Sequence, residues 1–194
     1  NTNNPYPIKP QTFEMLIPRN PVVNPEPSCL PANSIIGIAT NGVAILSPFD
    51  YNGNDLNNVD FGGNCQGRTA YASNGGFYYY AQVPDQCSTY IRQQDTSVIY
   101  GVAIDGFPIY GPGEGNNKVT NAQLDACHGK FVDGKYRYYM TGKWPYVLGC
   151  FRGNPVTVQG APIGGECKFA CNTDSLSNSV PCENDFQAMT IRPP

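Results

Sequence analysis

The chain has 194 residues, 40% of them apolar and only 14% charged, with a formal net charge of −3. One sizeable domain with a buried core fits that length, yet the charged fraction is well under the ~25% of an ordinary soluble domain, a balance common in secreted and cell-surface proteins. No run of Lys and Arg exists, which argues against nucleic acid as a partner, and no apolar stretch reaches the ~18–20 residues of a membrane span.

The chain begins at Asn1 rather than Met, which reads as a mature form whose targeting segment is gone. Residues 1–33 hold eight prolines: Pro5, Pro7, Pro10, Pro18, Pro21, Pro25, Pro27 and Pro31. Such a stretch is neither helix nor central strand, and an extended arm is predicted. A disordered linker would have few large apolar side chains, but this one has Tyr6, Ile8, Phe13, Met15, Leu16, Ile17, Val22 and Val23. They are expected to be buried, either on their own domain or in a groove of a neighbouring copy by strand addition. No N-x-Ser/Thr sequon occurs; Thr2 and Thr12, both near prolines, are candidates for O-linked sugars.

The domain proper, 34–194, opens on IGIATNGVAILSP (36–48). A second segment, YGVAIDGFPIYGP (100–112), aligns with it without a gap. Each is an apolar run, an Asn-Gly or Asp-Gly pair, and a second apolar run. Both are predicted to be tight hairpins with type I′ turns. Pro108 implies an edge position or a bulge. The match continues through CQGR (65–68) and CHGK (127–130), then through tyrosine ribbons in GGFYYYAQ (75–82) and GKYRYYMT (134–141). Residues 35–90 and 99–151 are therefore expected to be two copies of one β-unit, followed by a disulfide-rich segment over 152–194. Together they predict a mainly-β barrel or sandwich with an extended N-terminal arm.

Eight cysteines, even in number and without CxxC, indicate an oxidised extracellular set. The duplication pairs Cys65 with Cys87 and Cys127 with Cys150. Cys29, Cys167, Cys171 and Cys182 then have three possible pairings. Alternate strand residues face opposite sides. Tyr78 and Tyr80 share one face, as do Tyr136 and Tyr138, and these matched rings are expected to pack a core with hydroxyls bonded at its rim. Tyr79, Ala81, Arg137 and Tyr139 take the other face.

DGFPIYGP (105–112), LDACHGK (124–130), GKYRYY (134–139) and WPYVLGCFRG (144–153) resemble the YHYH domain, a family of mostly secreted proteins. The resemblance spans about 35–153. It implies a β-rich domain that binds metal through alternating histidines. This chain departs there. Arg137 and Tyr139 stand at the histidine positions of Tyr136-Arg137-Tyr138-Tyr139, and Tyr79 and Ala81 at those of Tyr78-Tyr79-Tyr80-Ala81. Arg68 replaces the histidine of the upstream C-x-G-H. Arginine stays protonated and does not ligate metal. No metal and no cofactor are therefore expected.

Catalytic patterns are lacking as well. His128 is the only imidazole, no G-x-S-x-G elbow occurs, and no phosphate-binding motif appears. Asp105 and Asp125 fall in predicted turns. DYNGNDLNNVD (50–60) is vaguely calcium-like but lacks a closing Glu. The sequence thus predicts a non-catalytic extracellular or cell-surface structural protein, with copies of itself as partners through the arm, as in a surface filament. The alternatives are a secreted metal-binding protein and a glycan-binding module using exposed Tyr79 and Tyr139.

Overall fold

A computed structural model describes residues 6–49, 55, 67–72, 75–81, 98–111, 113–114 and 117–159. Among these described residues there are ten strands: β1 (Ile35–Ala39), β2 (Ala44–Leu46), β3 (Gly67–Ala72), β4 (Gly75–Tyr80), β5 (Ile99–Ala103), β6 (Pro108–Tyr110), β7 (Gly113–Glu114), β8 (Asn117–Lys118), β9 (Gly129–Val132) and β10 (Lys135–Tyr139). One short 3-10 turn, Asn121–Gln123, follows β8. The chain is mainly β, and no α-helix occurs among the described residues.

Eight strands form one mixed sheet in the order β3-β4-β2-β1-β5-β6-β10-β9, with β7 and β8 as a separate ribbon. Read inward from either end the pattern is the same. An edge strand pairs antiparallel with a tyrosine strand, which pairs parallel with the second arm of a hairpin. The two hairpins meet at the centre, where β1 and β5 run antiparallel with Gly37 opposite Ala103 and Ala39 opposite Gly101. An added Cβ would lie 2.8 Å from the Val102 carbonyl at Gly37 and 2.5 Å from the Ile38 carbonyl at Gly101. Both glycines are there because the two backbones approach closely.

The expected barrel or sandwich gives way to this single open sheet. The β1–β5 pairing joins the two halves edge to edge, so they neither stack nor close on themselves. The type I′ prediction is corrected too. Only Gly42 (φ 83°) and Gly106 (φ 95°) have positive φ in the two loops. Gly42 donates to the Ala39 carbonyl and Ala39 to Val43, and Gly106 and Ala103 repeat the pattern with Phe107. These are three-residue loops with glycine in the left-handed position. The two-residue turn with both φ positive falls at Asp133-Gly134, between β9 and β10. Pro108 opens β6 inside the sheet, not at its edge, opposite Val102, and the bulge lies on the partner strand β5 at Tyr100, across from Ile109 and Tyr110. Its twin is at Ile36 of β1.

The main core lies on one face. It gathers Ile36, Ile45 and Tyr80 from one half and Ile109, Tyr136 and Tyr138 from the other. Ile35, Leu46, Phe77 and Tyr79 form a second cluster on the opposite face of the first half. Tyr139 packs with Val119 and Leu124 on that face of the second half. A Cys127–Cys150 disulfide closes a 23-residue separation. Cys29 is also oxidised. Cys65, Cys87, Cys167, Cys171 and Cys182 lie outside the described residues.

The N-terminal segment runs extended across its own domain. Pro7 and Lys9 bond Gly76 of β4, Glu14 exchanges two bonds with Gln159, and Ser28 exchanges two with Phe151. Burial alternates along it. Phe13, Met15, Ile17 and Val23 are half-buried, and Phe13 meets the Phe77 ring edge-on. The expectation that all eight large side chains are buried does not hold. Tyr6, Ile8, Leu16 and Val22 are 40%, 63%, 73% and 73% exposed, because a strand laid on one surface covers only every second side chain.

Candidate functional site: the tyrosine ribbons

Each ribbon is tied to the turn of its own hairpin. Asp105 caps its loop by accepting from the Phe107 N–H at 3.3 Å, an Asx turn. Its other oxygen accepts from the Tyr138 hydroxyl at 2.5 Å and the Gly153 N–H at 3.0 Å. Asn41, at the matched position, accepts from the Val43 N–H at 3.2 Å and donates to the Tyr80 hydroxyl at 3.1 Å. The contact is the same and the donor is reversed, because an amide donates where a carboxylate only accepts.

The first tyrosine of each ribbon rests on a glycine of the edge strand. A Cβ added at Gly129 would overlap the Tyr136 hydroxyl, and one at Gly67 the Tyr78 hydroxyl. These are the glycines of CHGK and CQGR. Tyr136 donates to Asp125 at 3.0 Å, and Asp125 also takes the N–H groups of Cys127 and Gly129. Within each ribbon the rings meet edge to face, at 5.8 Å for Tyr78 with Tyr80 and 5.3 Å for Tyr136 with Tyr138.

Burial raises the Asp105 pKa, against the lowering effect of its bonds from Tyr138 and the backbone. It also raises those of Tyr78, Tyr136 and Tyr138, the last two further because a carboxylate stands beside each. These phenols are therefore neutral donors at physiological pH. Asp105 is 1% exposed and Tyr138 0%, so that pair presents no surface to a substrate. Arg152 lies over the Tyr136 ring and 3.8 Å from Asp125.

On the opposite face, Tyr79 stacks on Phe77 and stands across from Arg68 on β3. Burial lowers the Arg68 pKa, with Tyr79 and Asp55 acting the other way. Arg137 stacks over Tyr110, 4.6 Å from the ring centroid, and lies 5.9 Å from that of Tyr139. Tyr79 and Tyr139 are 7% and 0% exposed and Ala81 is 0%. The two tyrosines are therefore unavailable for stacking on a sugar, and that basis for a glycan-binding module is withdrawn.

His128 is buried with a left-handed backbone, φ 71°. Its Nδ1 donates to the Val147 carbonyl at 3.1 Å, and its Nε2 lies 3.2 Å from the Thr141 hydroxyl, which itself donates to Asn121 Oδ1 at 2.7 Å. Burial pulls its pKa down to about 4. Among the described residues no three His, Cys, Asp or Glu side chains gather to hold a metal. Of the calcium-like stretch only Asp55 is described, and it accepts from the Tyr146 hydroxyl at 2.8 Å. Thr12 is exposed, while Thr2 lies outside the described residues.

The paired hairpins, edge-strand glycines and tyrosine strands are the setting for one comparison with known families. The model of a family described as YHYH protein matches residues 14–123. The chain belongs to the YHYH family. The matched span covers the first tyrosine ribbon, starts within the N-terminal segment and stops before β9 and β10. No curated protein and no solved structure matches the chain. The residues expected from the sequence at the motif's histidine positions, Tyr79, Ala81, Arg137 and Tyr139, do not fit a transition metal, and the last two lie beyond the matched span. One is a permanent cation, one has no donor, and the two phenols are buried.

The hydroxyl-to-turn links and the His128 network escaped sequence reasoning. The first had a signal: Asx-Gly recurs at the same place in both segments, and only its side chain reaches back to the ribbon.

Proposed function

We propose that this chain is a non-catalytic extracellular structural protein that assembles with copies of itself through its N-terminal segment. The carrying observation is the way that segment sits. It holds its domain by a few backbone bonds at separated points while Ile8, Leu16 and Val22 face solvent. Three large apolar side chains on one extended segment are what a neighbouring surface would cover.

Strand exchange follows from the same bonds. β2 pairs with β4 only at Tyr79 and Tyr80, so the N-terminal half of β4 offers Gly76 to an incoming strand. The segment of a second copy fits that place as well as its own does, and head-to-tail exchange propagates as a filament. The repeated strand order further supports descent from two copies of one β-unit. An oxidised Cys29 and the Cys127–Cys150 bridge suit an extracellular location. The closed carboxylate–phenol pair of Asp105 and Tyr138 favours a structural role over catalysis.

The test compares three proteins at matched concentration by negative-stain electron microscopy and light scattering. They are the full chain, a version lacking residues 1–28, and the full chain with L16D and V22D. The full chain is expected to form fibres or higher oligomers. Both variants are expected to be monomers, with L16D/V22D keeping the parent's thermal stability. A monomeric full chain would refute the proposal.

A further inference from the structure

We propose that the Arg19–Asn20 peptide bond is a processing site for a trypsin-like protease, and that the cut frees the strand lying on Gly76 of β4. Among residues 1–34 only Lys9 and Arg19 are basic. The bond after Lys9 leads into Pro10 and resists such proteases, because the proline ring obstructs it. Arg19 and Asn20 are both exposed and form a bend. The prolines on either side rest on the turn of the second hairpin. A Cβ on Gly106 would lie 2.6 Å from the Pro18 carbonyl oxygen and 3.1 Å from the Cβ of Pro18 and of Pro21. The fixed φ of proline holds the two residues between them clear of the domain.

A protease takes its substrate as an extended strand and needs backbone groups that the fold is not already using. Backbone bonds fasten the segment at Glu14 and again at Asn24. Between them, residues 15–23 make no backbone-to-backbone bond among the described residues. The exposed lysines further along are placed otherwise. Lys118 is paired with Gly113 and Lys135 with Val132, and Lys143 lies in a turn closed by the Tyr146 N–H. Nicking concentrates at exposed tips whose backbone is unpaired.

Hydrolysis adds one water across the bond: the Arg19 carbonyl becomes a carboxylate and Asn20 gains a free amine. Residues 1–19 contain no cysteine, so no disulfide retains them afterwards. They are then held by Pro7 and Lys9 on Gly76, by Glu14 on Gln159, by the Gln11 amide 3.3 Å from the Gly76 carbonyl and by the contact of Phe13 with Phe77. Gly76 admits the strand because a Cβ there would overlap the Pro7 carbonyl. While the chain is intact, the segment meets this slot at the high effective concentration of a short tether. Once cut it is diluted into solution, and the slot opens to the same segment of a second copy. Use of the open slot by a second copy rests on the self-assembly proposed above; the cut and the opening do not.

The full chain, held under native conditions with dilute trypsin and sampled by intact-mass spectrometry, tests this. Cleavage after Arg19 is expected to be about tenfold or more faster than cleavage after Lys118, Lys135 or Lys143, since each of those needs local unfolding first. R19Q is expected to lose that cut and keep the parent's thermal stability. Gel filtration is expected to separate the released fragment from the cut protein. A fluorescent synthetic peptide of residues 1–19 then reports the slot by anisotropy. It is expected to bind the cut protein saturably, to ignore intact R19Q, and to lose its site in cut G76A. Cleavage after Arg19 no faster than after the three lysines would overturn the proposal, as would a fragment that stays with the domain. So would equal peptide binding by cut protein and intact R19Q, or binding by neither. None of these readouts needs a filament, so a full chain that stays monomeric counts against the assembly reading alone.

Discussion

His128 shows how a single side chain couples this fold to pH. Its folded pKa, about 4, lies below the ordinary 6.5. As pH falls, the unfolded chain takes up the proton first, so stability is complete above pH 6.5 and is lost as pH drops toward 4. The loss is on the order of 2–3 kcal/mol between pH 7.5 and 4.5. Urea denaturation at the two pH values should show that this part of the slope vanishes in H128N. Asparagine is the suitable replacement because it tolerates the left-handed backbone. Asp105 works in the opposite direction. Its raised pKa means the folded state binds its proton first, which offsets part of the acid loss in both proteins and cancels in the difference. The two hydroxyl-to-turn links give a second residue-scale expectation. Y138F leaves a buried carboxylate short of one charged bond and should cost roughly 2 kcal/mol, whereas Y80F loses a neutral bond worth roughly 1 kcal/mol. Equal losses would contradict the burial difference between the two turns.

At the scale of the element, edge strand and tyrosine strand are matched by a missing side chain. A Cβ at Gly129 overlaps the Tyr136 ring. G129A should therefore destabilise by about 1–3 kcal/mol, the range for overpacking. A double-mutant cycle with Y136F should be strongly non-additive, because both changes act on one contact. The alternation of the ribbons was legible in the sequence, since strand side chains alternate by a rule that needs no distant partner. Tyr78, Tyr80, Tyr136 and Tyr138 do face one common core. The loop type was less legible. Asn-Gly fits both the two-residue turn and the three-residue loop with a left-handed glycine. The bulges at Ile36 and Tyr100 are set by the cross-strand register, which no single hairpin sequence states.

For the whole molecule, the Cys127–Cys150 bridge ties the CHGK turn to the chain that leads into Arg152, behind the Asp105 and Asp125 contacts. Replacing both cysteines with alanine should lower stability by ~3 kcal/mol, as loop closure over that separation predicts. Thermal or denaturant unfolding at neutral pH measures it. The pairing was legible in the sequence, because Cys127 and Cys150 recur at the places of Cys65 and Cys87 in the first segment. The sequence by itself determined the mainly-β class, the two tyrosine faces, the matched glycines and the oxidised cysteines, all local pattern or composition. Only the tertiary structure decided that the two halves join edge to edge into one open sheet, that the N-terminal segment lies on its own domain with half its apolar side chains outward, and that Arg137 stands beside Lys130. The reason is physical. Which strand edges pair, and what a strand lies against, depend on contacts between residues far apart in the chain, whose free energies no local pattern records.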